Sequence, residues 1–221
     1  MLVEGRGIAL PRLNADGTQI LYLVESNPGD PTHLISVMEV PLQGGSPRLL
    51  LQKPFILNIQ CAWSPSRLCV LNTVAGGSAK FFSFDPDNGE TRELASFQVI
   101  EYPNWSLSPD GSQLALILYG PERKVTFMTV ADKSTHDVIL NEWPRLKAID
   151  WDSEGKSVFV ASWAENGAPV VLEVDPRGNH RVLLKGDRAM QYWYVIPSPD
   201  GRYGALEAVT GENNVWMVEN F

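Results

Sequence analysis

Five copies of one short pattern recur along the chain at nearly constant spacing, and this repetition limits the folds open to it more than any other feature. The copy NWSLSPDGSQLALI (Asn104–Ile117) returns as YVIPSPDGRYGALEA (Tyr194–Ala208), AIDWDSEGKSVFVA (Ala148–Ala161), CAWSPSRLCVLN (Cys61–Asn72) and LPRLNADGTQILYL (Leu10–Leu23). Anchored on the first residue of each turn, the units begin at Asn14, Ser64, Ser108, Asp152 and Ser198, with spacings of 50, 44, 44 and 46 residues. Such a period accommodates four short strands. Pro and Gly, 16 and 18 in number, interrupt every window long enough for a helix. The chain therefore reads as all-β, with residues 1–221 in a single domain.

Each unit has the same internal order. Strand a carries apolar residues one and three positions before the anchor, as in Trp105/Leu107 and Ile149/Trp151. A Ser-Pro-Asp-Gly turn or a variant follows: Pro presets φ, Asp can accept from nearby N–H groups, and Gly takes the positive φ that closes a hairpin. Strand b is aliphatic (QLALIL, SVFVAS), and a polar loop leads to strand c (KFFSFDP, KVTFMTV, PVVLEVD). A second turn leads to strand d (TRELAS, HDVILN, HRVLLK). The second unit lacks the turn glycine, so its first hairpin is expected to be one residue tighter. Five such units predict a five-bladed β-propeller with four-stranded blades.

Composition excludes several function classes. Net charge is −8 with no Lys/Arg cluster beyond two adjacent residues, which argues against nucleic acid or anionic lipid as a direct partner. No apolar run approaches the ~18–20 residues of a membrane span, and MLVEGRGIAL lacks the layout of a signal peptide. These features suit a cytoplasmic protein, or a periplasmic one if the chain is a piece of a larger protein. A hydrophobic fraction of 44% with seven Trp is enough for a core without metal.

No catalytic constellation is visible. Asp16, Asp110, Glu154 and Asp200 recur at one turn position, where four copies at the repeat period read as turn caps rather than as one metal or acid–base site. DPDNGE (Asp85–Glu90) lacks calcium-loop spacing and falls where every unit has its c–d turn. His33 lies in a b–c loop, and His136 and His180 begin strand d, away from the axis where propeller enzymes place their chemistry. VAGGSAK (Val74–Lys80) lacks the Gly-Lys-Ser/Thr of a phosphate loop, and no Gly-x-Ser-x-Gly elbow occurs. No cofactor or metal is called for. Cys61 on strand a and Cys69 on strand b should face each other across one hairpin, either as two small core residues or as a cross-strand disulfide formed in an oxidising compartment. The d–a segments carry Phe55, Tyr102, Trp143, Tyr192 and Trp193. These aromatics sit on the channel-mouth face, as wedges between blades or as an exposed binding platform.

The repeated SPDG turn followed by an aliphatic strand resembles the WD-repeat-like propeller repeat of the TolB type, over essentially the whole chain. The ending IPSPDGRYGALEAVTGENNVWMVENF and the stretch CAWSPSRLCVLN are similar to propellers that close bacterial multidomain proteins bearing an N-terminal serine/threonine kinase or winged-helix domain. The resemblance implies an interaction or sensor module for a protein, peptide or small ligand, tethered to such a domain, and supplies no catalytic residues. The competing expectation is a propeller hydrolase or lyase acting on a small sugar-like substrate. Residues 1–7 align with a strand d and its exit, so Met1–Gly5 is expected to pair with Asn214–Glu219 and close the ring. The alternative is an open arc of a larger ring of six to eight blades.

Overall fold

Alternation of apolar and polar residues between turn-forming segments resolves into eighteen strands and no helix among the described residues. The structure, a computed structural model, describes residues 8–25, 31–188 and 190–210, with the backbone alone for Met190, Tyr192, Trp193 and Thr210. The expected pairing of Met1–Gly5 with Asn214–Glu219 lies outside the described residues.

The first sheet comprises β1 (Ile8–Leu13), β2 (Gln19–Glu25), β3 (Leu34–Pro41) and β4 (Arg48–Pro54). The second has β5 (Ile56–Cys61), β6 (Cys69–Ala75), β7 (Ser78–Phe84) and β8 (Thr91–Gln98). The third has β9 (Asn104–Leu107), β10 (Gln113–Ile117), β11 (Lys124–Thr129) and β12 (Thr135–Ile139). The fourth has β13 (Leu146–Trp151), β14 (Val158–Trp163), β15 (Pro169–Val174) and β16 (His180–Lys185). Each is an antiparallel meander with strands in sequence order. The fifth sheet, among the described residues, is the hairpin of β17 (Met190–Pro197) and β18 (Gly204–Thr210).

The turn residues do what their chemistry predicts. In the third sheet the Ser108 hydroxyl and the backbone N–H and hydroxyl of Ser112 all donate to one oxygen of Asp110. Burial alone would raise the Asp110 pKa, but these bonds overcome it and hold the carboxyl below its usual range. Thr18 does the same for Asp16, and Ser198 for Asp200. The fourth sheet differs: Asp152, the anchor itself, accepts from the N–H groups of Glu154, Lys156 and Ser157, while Glu154 pairs with Lys156. DPDNGE is a turn in which Asp85 accepts from the Asp87 N–H and Asn88 from the Glu90 N–H.

The second unit corrects the sequence reading. Its first hairpin is longer, not tighter: the Ala62 N–H donates to Leu68 O across six residues. The equivalent bonds from Asn14, Ser108, Asp152 and Ser198 span five. The structural anchor is thus Ala62 rather than Ser64. Without a glycine at the left-handed position, the Trp63–Leu68 loop needs one more residue to reverse the chain.

The core lies between neighbouring sheets rather than inside any one of them. Leu21, Val37, Ile59 and Leu71 pack where the first and second sheets meet. Phe81, Trp105, Leu114 and Leu116 join the second to the third. Phe127, Trp151, Val160 and Leu172 join the third to the fourth. Two indoles bridge these joints: Trp105 donates to the Asn72 carbonyl oxygen at 3.0 Å, and Trp151 to the backbone carbonyl of Ser106 at 3.1 Å. The first strands approach one another in order, β1 with β5, β9 with β13, and β13 with β17. Residues from all five sheets line one central cavity.

Candidate functional site

Two concave regions carry the polar and aromatic groups that the fold leaves open. The first is a groove formed where the segment joining β8 to β9 passes the β6–β7 turn. Its lining includes Phe55, Gly76, Gly77, Ile100, Tyr102 and Tyr119, around a volume of about 670 Å³. Ile100 and Tyr102 are 78% and 68% exposed, so both project from the rim rather than wedge between sheets. Phe55 takes a left-handed backbone conformation (φ 60°), a costly one for an aromatic residue. It is held there by its N–H donating to His33 O and its carbonyl accepting from the Val74 N–H. Its ring, tilted against that of His33 at 5.4 Å between centroids, is a fixed wall of the groove. Tyr119 is anchored from both sides: its hydroxyl accepts from the Asn104 amide and donates to Lys147 O. Burial raises its pKa, so it stays a neutral phenol.

The five aromatics named from the sequence have different fates. Phe55 and Tyr102 share the groove. Trp143 is half-buried against the core between the third and fourth sheets, with its indole N–H sealed and lacking an acceptor among the described residues. Tyr192 and Trp193 lie in β17, and nothing further is described of their side chains. Cys61 and Cys69 are directly opposite one another in the β5–β6 ladder and their sulfurs are bonded.

The second region is the cavity on the axis, about 470 Å³, at the end of the first strands where the a–b turns gather. Sequence reasoning missed it. Arg12, Gln60, Ser106, Asp150 and Ile196 occupy the same position of the five innermost strands, two residues before the structural anchors Asn14, Ala62, Ser108, Asp152 and Ser198. Gln60 is held from both ends: its amide donates to Trp105 O, and its carbonyl oxygen accepts from the Leu107 N–H and lies 3.3 Å from the Ser106 hydroxyl. One oxygen of Asp150 accepts from the Ser106 hydroxyl at 2.7 Å and from the Trp151 N–H at 2.9 Å. Burial raises the Asp150 pKa, and these bonds and the charge of Arg12 reverse the shift only in part. The signal that could have revealed the site is a polar residue flanked by apolar ones in an innermost strand, as in Trp105-Ser106-Leu107 and Ile149-Asp150-Trp151.

A raised carboxyl pKa has a definite linkage sign. The folded protein holds the Asp150 proton more tightly than the unfolded chain, so this residue's contribution to stability falls as pH rises from the ordinary carboxylate range through the folded pKa. Asp150→Asn keeps an acceptor for Ser106 and Trp151 and carries no charge. The variant is expected to have a higher urea midpoint than the parent at pH 7.5, with the difference vanishing near pH 3. Equal midpoints at both pH values would contradict this account.

No family model and no curated protein matches the chain. Solved structures do. TolB from Acinetobacter baumannii superimposes with a TM-score of 0.69 at 19% identity, over 87% of this chain and 47% of that one. The β-propeller domain of Cps50 (Swd1) from Myceliophteria thermophila gives 0.61 at 14% identity, over 94% of this chain and 64% of that one. The fold is a β-propeller fold. An oligogalacturonate lyase in complex with manganese matches the same blades with a TM-score of 0.67 at 16% identity, over 90% of this chain and 58% of the lyase. The chain thus spans less than two thirds of each of these propeller-containing proteins. Among the described residues no group of three or more His, Cys, Asp or Glu is placed to hold a metal ion, and no helix is long and apolar enough to cross a membrane.

Proposed function

We propose that this chain is a non-catalytic propeller module that captures an extended peptide segment of a partner protein in the Phe55–Tyr102 groove. The observation that carries the reading is the exposure of Ile100 and Tyr102 beside a wall of fixed aromatics. Large apolar side chains left in water at the lip of a groove gain free energy only when something covers them. Gly76 and Gly77 have no side chains, so a peptide backbone can approach that side of the groove closely. Glu101 and Arg145, 3.7 Å apart and exposed, give the apolar floor a charged edge that can orient a partner.

Similarity to TolB and to a Swd1 propeller domain supports such a role by fold alone, and the lyase shows that the same fold also carries chemistry in other proteins. A hydrolase or lyase acting on a sugar-like substrate would need convergent acid and base groups. Of the two carboxylates lining the axial cavity, Asp16 accepts from Thr18 within its own a–b turn, and Asp150 accepts from Ser106 and from the Trp151 N–H. In this reading the propeller serves a signalling or DNA-binding domain on the same polypeptide, and the reading frame around the chain shows whether one is encoded.

The test is selection of displayed peptides on the folded protein, followed by affinity measurement against Tyr102→Ala. Tyr102 is exposed and makes no core contact, so the variant should fold normally. Truncating an aromatic anchor of this kind costs on the order of 2 kcal/mol in binding, or roughly thirty-fold in Kd. Peptides that bind both proteins equally, or a selection that enriches nothing, would place the binding face elsewhere.

A further inference from the structure

Besides Asp16, which is bonded to Thr18, the axial cavity holds two opposite charges that do not meet. Arg12 and Asp150 both line it, yet no ion pair joins them within 4 Å. Both hydrogen bonds to Asp150 go to a single oxygen, and its Oδ2 takes no hydrogen bond among the described residues. Nor is Oδ2 among the sealed polar atoms. It therefore opens onto the cavity. The guanidinium of Arg12 makes one long contact, 3.4 Å to its neighbour Pro11 O, which leaves most of its five N–H donors unspent among the described residues. Two flexible side chains serving only each other would close to contact, because opposite charges gain most at short range in a poorly hydrated site. Here Asp150 is fixed by Ser106 and by its own strand β13, while Arg12 stands on β1.

Asn14, Gln60 and Ser64 add polar groups to the wall, and one side of it is apolar. Leu13 and Ile196 line the cavity and are about half exposed (52% and 43%), and Pro109 and Trp151 add to this apolar side. A ligand that satisfies this site needs an ammonium group for Asp150, a carboxylate for Arg12 and an apolar body for the wall. The volume suits a small molecule and excludes a folded partner.

We infer that the axial cavity binds a small zwitterion with an apolar side chain, either a free amino acid or a di- or tripeptide, with its α-ammonium on Asp150 and its carboxylate on Arg12. The site lies at the a–b turn end of the channel and shares no lining residue with the Phe55–Tyr102 groove. Its occupancy therefore does not depend on the peptide-capture reading.

Calorimetric titration with L-leucine and leucyl-leucine tests the proposal and separates the two sources, since one of them should bind at least ten-fold more tightly. N-acetyl-leucine, which lacks the ammonium, and leucinamide, which lacks the carboxylate, should each bind at least ten-fold more weakly than the parent zwitterion. Asp150→Asn and Arg12→Met should each weaken zwitterion binding by a similar factor. The decisive result is non-additivity: Asp150→Asn should cost nothing further for N-acetyl-leucine, and Arg12→Met nothing further for leucinamide. Tyr102→Ala should bind the zwitterion as the parent does. Absence of heat from either zwitterion up to millimolar concentration would overturn the assignment. So would affinities unchanged in both variants, each checked for a parent-like thermal transition. Should Arg12→Met fail to fold, the N-acetyl-leucine and Asp150→Asn comparison decides alone.

Discussion

Trp151→Ala is expected to lower stability by about 3–5 kcal/mol, the range for removing a large aromatic from a packed core. Only 2% of the residue is exposed. Its ring meets Phe127 edge-on at 5.5 Å between centroids, so the change removes both buried area and a favourable aromatic geometry. It also removes a side-chain donor to the Ser106 carbonyl, because the indole N–H crosses from the fourth blade to the third to reach it. Trp151→Phe separates the two losses. It keeps most of the ring and removes the indole bond, leaving the carbonyl to its strand partner, for an expected cost of about 0.5–1.5 kcal/mol. Urea unfolding at constant m reads both values. A loss below 1 kcal/mol for alanine would mean that the third and fourth blades do not meet through this residue.

The second large effect is expected at Gly89. A Cβ built there would lie 2.2 Å from Leu50 O, a backbone atom of the neighbouring blade that cannot swing aside. The glycine also has a φ of +73°. The left-handed conformation costs a side chain about 1–2 kcal/mol and the overpacking about 1–3 more, so Gly89→Ala should lose roughly 2–5 kcal/mol. Gly167→Ala is the control: φ is +81°, but nothing lies within 4 Å of its Cβ position, so only the backbone penalty applies. The contrast between the two isolates the contact between the second blade's c–d turn and β4. Arg48 fastens the same contact by donating to the carbonyls of Pro86 and Asp87 while paired with Glu39. Equal costs for the two alanine variants would contradict the close approach.

The blades were legible in the sequence because the information that makes them is local. Ser-Pro-Asp-Gly defines a hairpin within four residues, and Asp110 accepting from Ser108 and Ser112 needs nothing from the rest of the chain. Where that chemistry changed, the reading slipped. Trp63–Leu68 lacks the glycine, and its extra residue moved the structural anchor from Ser64 to Ala62. The shift hid the alignment of Gln60 with Arg12, Ser106 and Asp150, and with it the axial cavity. The opposite position of Cys61 and Cys69 followed from equal distances to Pro65, again a local matter. Exposure was harder to read. Tyr102 and Trp143 occupy equivalent d–a segments, yet one projects into solvent and the other folds onto the core. That choice depends on which neighbouring residues meet the ring across the blade interface, and no single-strand pattern records it.

The bond between Cys61 and Cys69 ties strand to strand inside one blade, across eight residues of sequence. It reinforces a rib, not a seam. Every joint between blades is instead made of side-chain packing and a few cross-blade hydrogen bonds, with no covalent link across any of them among the described residues. The closed loop is short, so cross-linking removes comparatively little freedom from the unfolded chain. Reduction is therefore expected to act first on one hairpin beside the axial cavity, because the joints between blades are not held by that bond.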